Sequence, residues 1–174
     1  MPNINNMIRG TIIAIAAMAA FGLAPSAYAA TGTAPAYAVT LRALSVVKTD
    51  DLEFGTLVAA GTAGTATINP NTDARSVTGG TIGATGAVPS AAHFTAAGVA
   101  GAIALIALPG SITLTRISGT ETMSVTGISS NGPTLRTFPG TPTIDVAVGG
   151  TLNVAASQVA GDYAGTFTVN ILYF

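Results

Sequence analysis

The densest group of carboxylates in this sequence consists of Asp50, Asp51 and Glu53. Paired carboxylates can act as the acid and the base of glycoside hydrolysis, and carboxylate oxygens are also calcium ligands. On a strand, Asp51 and Glu53 would share one face while Asp50 would point to the other. No regularly spaced oxygen ligands follow, so we interpret the cluster as a solvated turn before a strand. The sequence leaves open whether these three residues bind a cation.

His93 is the only histidine, and the chain contains no cysteine. These counts exclude a thiol nucleophile, a cysteine-based metal site and any site that needs two histidines. A general base would also need an orienting carboxylate and a nucleophile close by. We therefore interpret His93 as an ordinary strand-end or surface histidine. We expect a protein that is not an enzyme, with no catalytic residues, no metal and no cofactor.

Threonine pairs at positions i and i+2 could form a hydroxyl ladder that binds ice or sugars. The pairs are Thr113/Thr115, Thr141/Thr143 and Thr166/Thr168. Threonine is also simply a good strand residue. The three pairs are few and scattered along the chain, so the sequence does not predict a flat array.

The charge content of the chain is very low. Lys and Arg number 6, Asp and Glu number 7, and together they make up 7% of the 174 residues. An ordinary soluble domain carries about 25% charged residues. The net charge of -1 offers no surplus of cations to neutralise a phosphate backbone, so we expect no nucleic-acid partner.

The N-terminal segment has the three parts of a secretory signal peptide in the usual order: a basic start, an apolar middle and an end of small residues. Arg9 precedes the uncharged apolar run 10–23, and the triplet Ala27-Tyr28-Ala29 fits an A-x-A cleavage site. The apolar run is shorter than the ~20 residues of a membrane-spanning helix. We predict a cleavable signal helix in residues 1–29 and a single exported domain in residues 30–174. The expected location is the periplasm, cell surface or extracellular space, with no membrane span after cleavage.

The exported part carries short runs of alternating polar and apolar residues, separated by Gly, Pro or Asn. We predict roughly nine or ten strands from these runs. No stretch has its apolar residues at helical spacing, so we expect no helices and therefore no parallel βαβ units. The predicted fold is all-β, an antiparallel two-sheet β-sandwich of immunoglobulin-like or pilin-like type. We predict a first strand over residues 37–47 and a loop or irregular edge over 129–142. The apolar run 102–108 is predicted to be a central strand buried on both faces.

The last predicted strand, residues 162–174, alternates most clearly. Its apolar positions are Tyr163, Phe167, Val169, Ile171 and Tyr173. We expect these side chains to face the core and the strand to lie at the edge of a sheet. An edge strand offers unpaired backbone groups to another chain, so this is our candidate subunit-contact strand.

Several motifs give a resemblance to a known family. The sequence L-x-F-G-T at residues 52–56 resembles the opening of a domain-of-unknown-function family of secreted bacterial β-proteins. Further matching segments cover residues 77–80, 89–95, 149–154 and 160–167. The family has no established activity, so the resemblance implies a fold and export rather than a reaction.

The Phe-Gly pair at residues 54–55 and the alternating apolar ending from Tyr163 to Tyr173 give a second, more distant resemblance. They are similar to the corresponding segments of spore-coat-U-type and fimbrial subunits, which periplasmic chaperones export. That similarity implies a homo-oligomer or fibre built by strand addition, with a periplasmic chaperone as a further partner. A donated strand is normally a free arm with alternating apolar residues, and residues 30–36 are short and poorly apolar. Residues 37–47 could serve as the arm only if they do not pair within their own domain.

We therefore expect a secreted, non-enzymatic structural subunit, pilin-like or coat-like, that assembles at the cell surface through strand edges. The alternative is a secreted binding module, for carbohydrate or as a surface adhesin. The chain has no Trp and only 6% aromatic residues, so it offers little aromatic platform for sugar rings.

Overall fold

The structure, a computed structural model, describes residues 34–174. The predicted signal peptide and its helix, residues 1–29, lie outside the described residues. Internal contacts divide the chain into two units, Met1–Val39 and Thr40–Phe174. Residues 34–39 of the first unit carry no regular secondary structure and are exposed. Every described strand belongs to the second unit.

The described part of the chain is all-β. Its strands are β1 (Ser45–Asp50), β2 (Leu57–Ile68), β3 (Arg75–Gly83), β4 (Ala92–Ala97), β5 (Ile103–Ala107), β6 (Ile112–Arg116), β7 (Thr122–Ser130), β8 (Leu135–Thr137), β9 (Thr143–Val154), β10 (Tyr163–Ala164) and β11 (Asn170–Tyr173). Residues 34–174 include no helix long and apolar enough to cross a membrane.

The strands form two sheets. The larger has eight strands in the order β1-β4-β9-β7-β6-β10, with β2 paired to both β9 and β3. The smaller has three strands in the order β11-β5-β8. Every pairing is antiparallel, which confirms the predicted all-β, antiparallel class.

Two clusters of buried side chains make up the core. The first gathers residues from β2, β6, β7 and β9 and from the segments beside them: Phe54, Ala66, Ile68, Ala91, Ile112, Met123, Val125, Ala147, Leu152 and Val154. The second joins the small sheet to β4 and the first half of β9: Ala92, Ala96, Ala104, Ile106, Phe138, Ile144, Val146, Val148 and Ile171. Burial of these apolar surfaces supplies the main driving force for folding.

Strand β9 contributes to both clusters and is the most buried element. Its first half pairs with β4, and its second half lies between β2 and β7. Gly149 and Gly150 stand where the partners change. A Cβ on Gly149 would overlap the carbonyl oxygen of Ile68, and one on Gly150 would lie 2.9 Å from Cγ1 of Val125. Only glycine allows the neighbouring strands to approach this closely.

The N-terminal strand is shorter than predicted. It begins at Ser45 rather than at residue 37, and residues 34–44 belong to no ladder. All six side chains of β1 are exposed. Residues 37–43 alternate in sequence but form no ladder, and the Arg42 carbonyl accepts a hydrogen bond from the Tyr173 hydroxyl of β11 at 3.0 Å.

The apolar run 102–108 does supply a central strand, β5, between β11 and β8. Its burial differs from the prediction. Ala104 and Ile106 are fully buried, whereas Ile103 is 41% exposed. The prediction of burial on both faces is wrong, because no other described element covers the outer face of the small sheet.

The predicted terminal strand is divided into β10 and β11. β10 pairs with β6 in the large sheet, and β11 pairs with β5 in the small sheet. Residues 165–169 belong to neither ladder. The chain changes sheets here, and a single regular strand cannot pair with both. The segment 129–142, predicted to be a loop or an irregular edge, contains β8, which is an outer strand of the small sheet.

Candidate functional site

The acidic cluster does not come together as a ligand set. Asp51 forms an ion pair with Lys48, and Asp50 lies opposite His93 in the β1–β4 ladder. Glu53 makes an isolated backbone bridge with Ser90. Among residues 34–174, no group of three His, Asp or Glu side chains is placed to hold a metal ion. The three carboxylates are exposed, but they lie at the end of β1, beside it and in the Glu53 bridge rather than in a turn.

His93 is the second residue of β4, and it has a carboxylate partner that the sequence did not reveal. Its Nε2 lies 2.9 Å from Oδ1 of Asp73, and the same oxygen accepts a hydrogen bond from the Ala91 N–H at 3.0 Å. Asp73 has φ of 57°, a left-handed conformation that Asp tolerates better than most residues. The hydrogen bonds from His93 and from Ala91 hold the pKa of Asp73 below its usual value. This pair fastens the β2–β3 turn to β4.

The candidate contact strand alternates as predicted from residue 167 onward. Ile171 is buried, and Phe167, Val169 and Tyr173 pack against the second core cluster. Tyr163 stands apart from these four. It lies on β10, and its hydroxyl accepts a hydrogen bond from Gln158 Nε2 at 2.8 Å and donates to the Val159 carbonyl at 2.7 Å. The structure thus brings four of the five predicted residues together at the second core cluster.

β11 is an outer strand of the small sheet, and its pairing with β5 defines which backbone groups are free. The N–H of Phe174 donates to the Ile103 carbonyl at 2.9 Å. Residues in an antiparallel pair alternate between bonding to the partner and pointing away from it. The N–H and C=O groups of Ile171 and Tyr173 therefore point to the other edge, where no described strand pairs with them.

An exposed apolar patch covers the outer face of the small sheet. We call it the outer patch, and it consists of the half-buried Leu105 and the exposed Ile103, Leu135, Leu172 and Phe174. Leu105 of β5 lies between Leu172 of β11 and Leu135 of β8 in the ladder. Leu172 is 55% exposed and Phe174 78%. Contiguous exposed apolar patches are a common feature of interaction sites.

A second set of exposed apolar side chains lies in the ladder-free segment 37–43, which we call the arm. Tyr37 and Val39 are each 90% exposed, and Leu41 is also exposed. The residues between them, Ala38 and Thr40, are small. The arm therefore has the alternation of a strand but no ladder partner among residues 34–174, although its Arg42 carbonyl accepts a hydrogen bond from the Tyr173 hydroxyl.

The threonine pairs belong to a larger array that the sequence did not predict. One row crosses five strands of the large sheet in register: Thr78, Thr65, Asn153, Ser124 and Thr113. A second row crosses four strands: Ser76, Thr67, Thr151 and Thr126. Thr115 and Thr122 form a further pair on the same face. We call these eleven residues the hydroxyl face.

The array could not be predicted from the sequence, because it forms only when the strands pair. Of the three threonine pairs in the sequence, only Thr113/Thr115 belongs to the hydroxyl face. The other members come from strands far apart in the chain, and their register cannot be derived from spacing alone. The sequence does contain one indication of the array: each of the five strands has a polar residue at every second position.

A comparison with family models places most of the chain in one family. The family described as "Domain of unknown function (DUF4402)" matches residues 44–173, which include all the strands. Neither the curated proteins nor the solved structures gave a match. The match agrees with the resemblance to a family of unknown function that the motifs indicated. The chain belongs to the DUF4402 family.

Proposed function

We propose that this protein is a secreted, non-enzymatic structural subunit, pilin-like or coat-like, that assembles at the cell surface through strand edges. In this proposal the two sheets form an immunoglobulin-like or pilin-like β-sandwich. One observation carries it: an unpaired arm with alternating apolar residues and an unpaired edge of β11 occur in the same chain. The occupant that we assign to the β11 edge is the arm of a second copy.

Backbone pairing supplies the first part of the contact. The free N–H and C=O groups of Ile171 and Tyr173 need partners, and an extended segment laid beside β11 would satisfy them. This is strand addition, in which main-chain hydrogen bonds give affinity and alternate side chains give specificity. An open edge left without such a partner is a risk for uncontrolled aggregation.

Side-chain packing supplies the second part. Ile171 and Tyr173 already fill the inner side of β11, so the apolar residues of the added arm are placed on the outer side. There, Tyr37, Val39 and Leu41 would lie beside Leu172 and Phe174 of the outer patch. Both sets of side chains are exposed in the single chain, and contact between them would bury the apolar surface of both.

A periplasmic chaperone fits the same surfaces. Before assembly, the β11 edge and the outer patch both need protection, because exposed edges and apolar patches promote non-specific association. We propose that the chaperone occupies the β11 edge until the arm of another subunit replaces it. Export by the signal peptide would bring the subunit to that compartment.

The proposal is tested by the assembly state of the exported chain. Purified protein is examined by size-exclusion chromatography and electron microscopy over a range of concentrations, beside the variant Val39→Asp/Leu41→Asp. The control, Thr141→Asp/Ala160→Asp, adds the same two charges at exposed positions outside the arm. We expect oligomers or fibres from the wild type and the control, and monomers from the arm variant. Monomers of the wild type at high concentration would overturn the proposal.

The hydroxyl face favours a second candidate function, a secreted carbohydrate-binding module or adhesin. It lies on β2, β3, β6, β7 and β9, whereas the β11 edge and the outer patch belong to the small sheet. The two candidates therefore use different surfaces and are tested separately.

A further inference from the structure

We propose that the hydroxyl face is a binding site for a neutral polysaccharide, with the chain of sugars lying along the row from Thr78 to Thr113. This inference uses none of the surfaces of the assembly proposal. It gives the carbohydrate-binding candidate a place in the fold and a ligand class.

Several side chains of the hydroxyl face are held in place by hydrogen bonds to one another. The hydroxyls of Thr65 and Thr78 lie 2.7 Å apart, and those of Thr67 and Thr151 lie 2.9 Å apart. Asn153 joins two strands, because its Nδ2 donates to the Ser124 carbonyl at 3.0 Å. Side chains that are already ordered lose less conformational entropy when a ligand binds.

These internal bonds leave most of the hydrogen-bonding capacity free. A hydroxyl group offers one donor and two acceptor sites, and an amide side chain offers two donors and a carbonyl oxygen. Asn153 Nδ2 also lies 3.1 Å from Thr126 Oγ1, whereas its Oδ1 accepts no hydrogen bond from the described residues. Sugar hydroxyls are likewise both donors and acceptors, so the two surfaces are chemically complementary.

The face also has a groove of suitable shape. An open groove of about 650 Å³ lies over the first row, and its lining includes Thr65, Thr78, Thr113, Ser124 and Asn153. Gln158 adds a further amide at its rim. Among residues 34–174, no charged side chain lines the groove. An uncharged lining offers an anionic or cationic polymer no counter-charge, so the ligand is assigned as neutral.

The dimensions favour a polymer over a single sugar. Adjacent strands lie ~4.8 Å apart, so the row across five strands spans about 19 Å. The face contains no aromatic ring on which one sugar could stack, so affinity must come from many hydrogen bonds along the row. Ice is a poorer fit, because an ice-binding face must be flat and regular. The groove makes this face uneven, and the register shifts in β2 and β7 limit its regular part to a few residues of each strand.

Native gel electrophoresis in the presence of a polysaccharide tests the inference. The probes are dextran and hydroxyethyl cellulose, which are neutral, and alginate, which is anionic. The variant Thr78→Val/Thr113→Val/Ser124→Ala removes three hydroxyls from the row and keeps the size of the side chains. The control, Thr137→Val/Thr143→Val/Ser45→Ala, makes the same changes at exposed strand positions elsewhere. Urea unfolding of each variant shows whether it is folded.

We expect a neutral polysaccharide to retard the wild type and the control. Retardation of the folded row variant should require a polysaccharide concentration about a hundredfold higher, as the loss of three hydrogen bonds implies. Three results would overturn the inference: no retardation by either neutral polymer, equal retardation by alginate, or equal retardation of the folded row variant. Inhibition of ice recrystallisation without polysaccharide binding would also overturn it and assign the face to ice.

Discussion

Ile171 of β11 stands directly opposite Ile106 of β5, and both side chains are buried in the second core cluster. The neighbouring pair, Leu172 and Leu105, lies on the other face of the same two strands. This register separates the core from the outer patch by a single residue. A slip of one residue would exchange the two sets of side chains.

The first prediction tests that register. Ile171→Asp places an unpaired carboxylate in the core, which is costly enough to prevent folding or export. Asn170→Asp adds the same group one position away, on the exposed side, and should be tolerated. Secretion yield and urea unfolding are measured for both variants beside the wild type. Equal behaviour of the two variants would show that β11 does not close the core.

The second prediction separates the two faces of β5. Ile106→Ala should destabilise the protein by about 2–5 kcal/mol, because the side chain is fully buried. Leu105→Ala should lower the free energy of unfolding by only about 1 kcal/mol, because Leu105 is half-buried on the outer face. Urea unfolding gives both values. Equal losses at the two positions would mean that another layer covers the outer patch in the monomer.

The third prediction concerns pH and the Asp73–His93 pair. The folded-state pKa of Asp73 is lowered, so its stabilising contribution is present above the unfolded-state pKa of ~3.9 and is lost as the pH falls through the folded-state pKa. Asp73→Asn keeps a residue that tolerates the left-handed backbone and removes the charge. We expect the variant to be less stable than the wild type at about pH 5 and the difference to shrink at about pH 3. A difference that stays constant between these pH values would refute the role assigned to the pair.

The fourth prediction concerns the close approach of strands at β9. Gly149→Ala should lower the free energy of unfolding by about 1–3 kcal/mol, because its methyl group overlaps the backbone of Ile68. Gly140→Ala is the matched control, since a Cβ there meets no atom within 4 Å. Its effect should stay within about 0.5 kcal/mol. Two equal effects would argue against tight packing between β9 and β2.

The sequence predicted those features that depend on local alternation. The absence of helical spacing gave the all-β class, and the inward phase of Phe167, Val169, Ile171 and Tyr173 was correct. The phase of Ile171 and Tyr173 follows from the two-residue period of β11, and Phe167 and Val169 keep the same phase although they precede the strand. A residue's neighbours in the chain are enough to define which side of its own strand it occupies.

Features that depend on partner strands could not be predicted in this way. Residues 37–43 alternate like a strand but have no ladder, and residues 162–174 change sheets within one apparent run. The outer side of β5 looked buried because its residues are apolar, but burial requires a covering layer. The hydroxyl face was missed for the same reason, since its rows exist only when β3, β2, β9, β7 and β6 are in register.

The contact between the arm and β11 is the central claim, and disulfide cross-linking between separate chains tests it most directly. The protein contains no cysteine, so any disulfide that forms must involve the introduced cysteines. One chain carries Val39→Cys and the other Leu172→Cys, and they are mixed under mild oxidation. The control mixture pairs Val39→Cys with Thr113→Cys on the hydroxyl face. We predict a cross-linked dimer joining the two chains in the first mixture and none in the control. Equal yields in the two mixtures, or no dimer of the first pair under conditions where the wild type oligomerises, would contradict the proposed assembly.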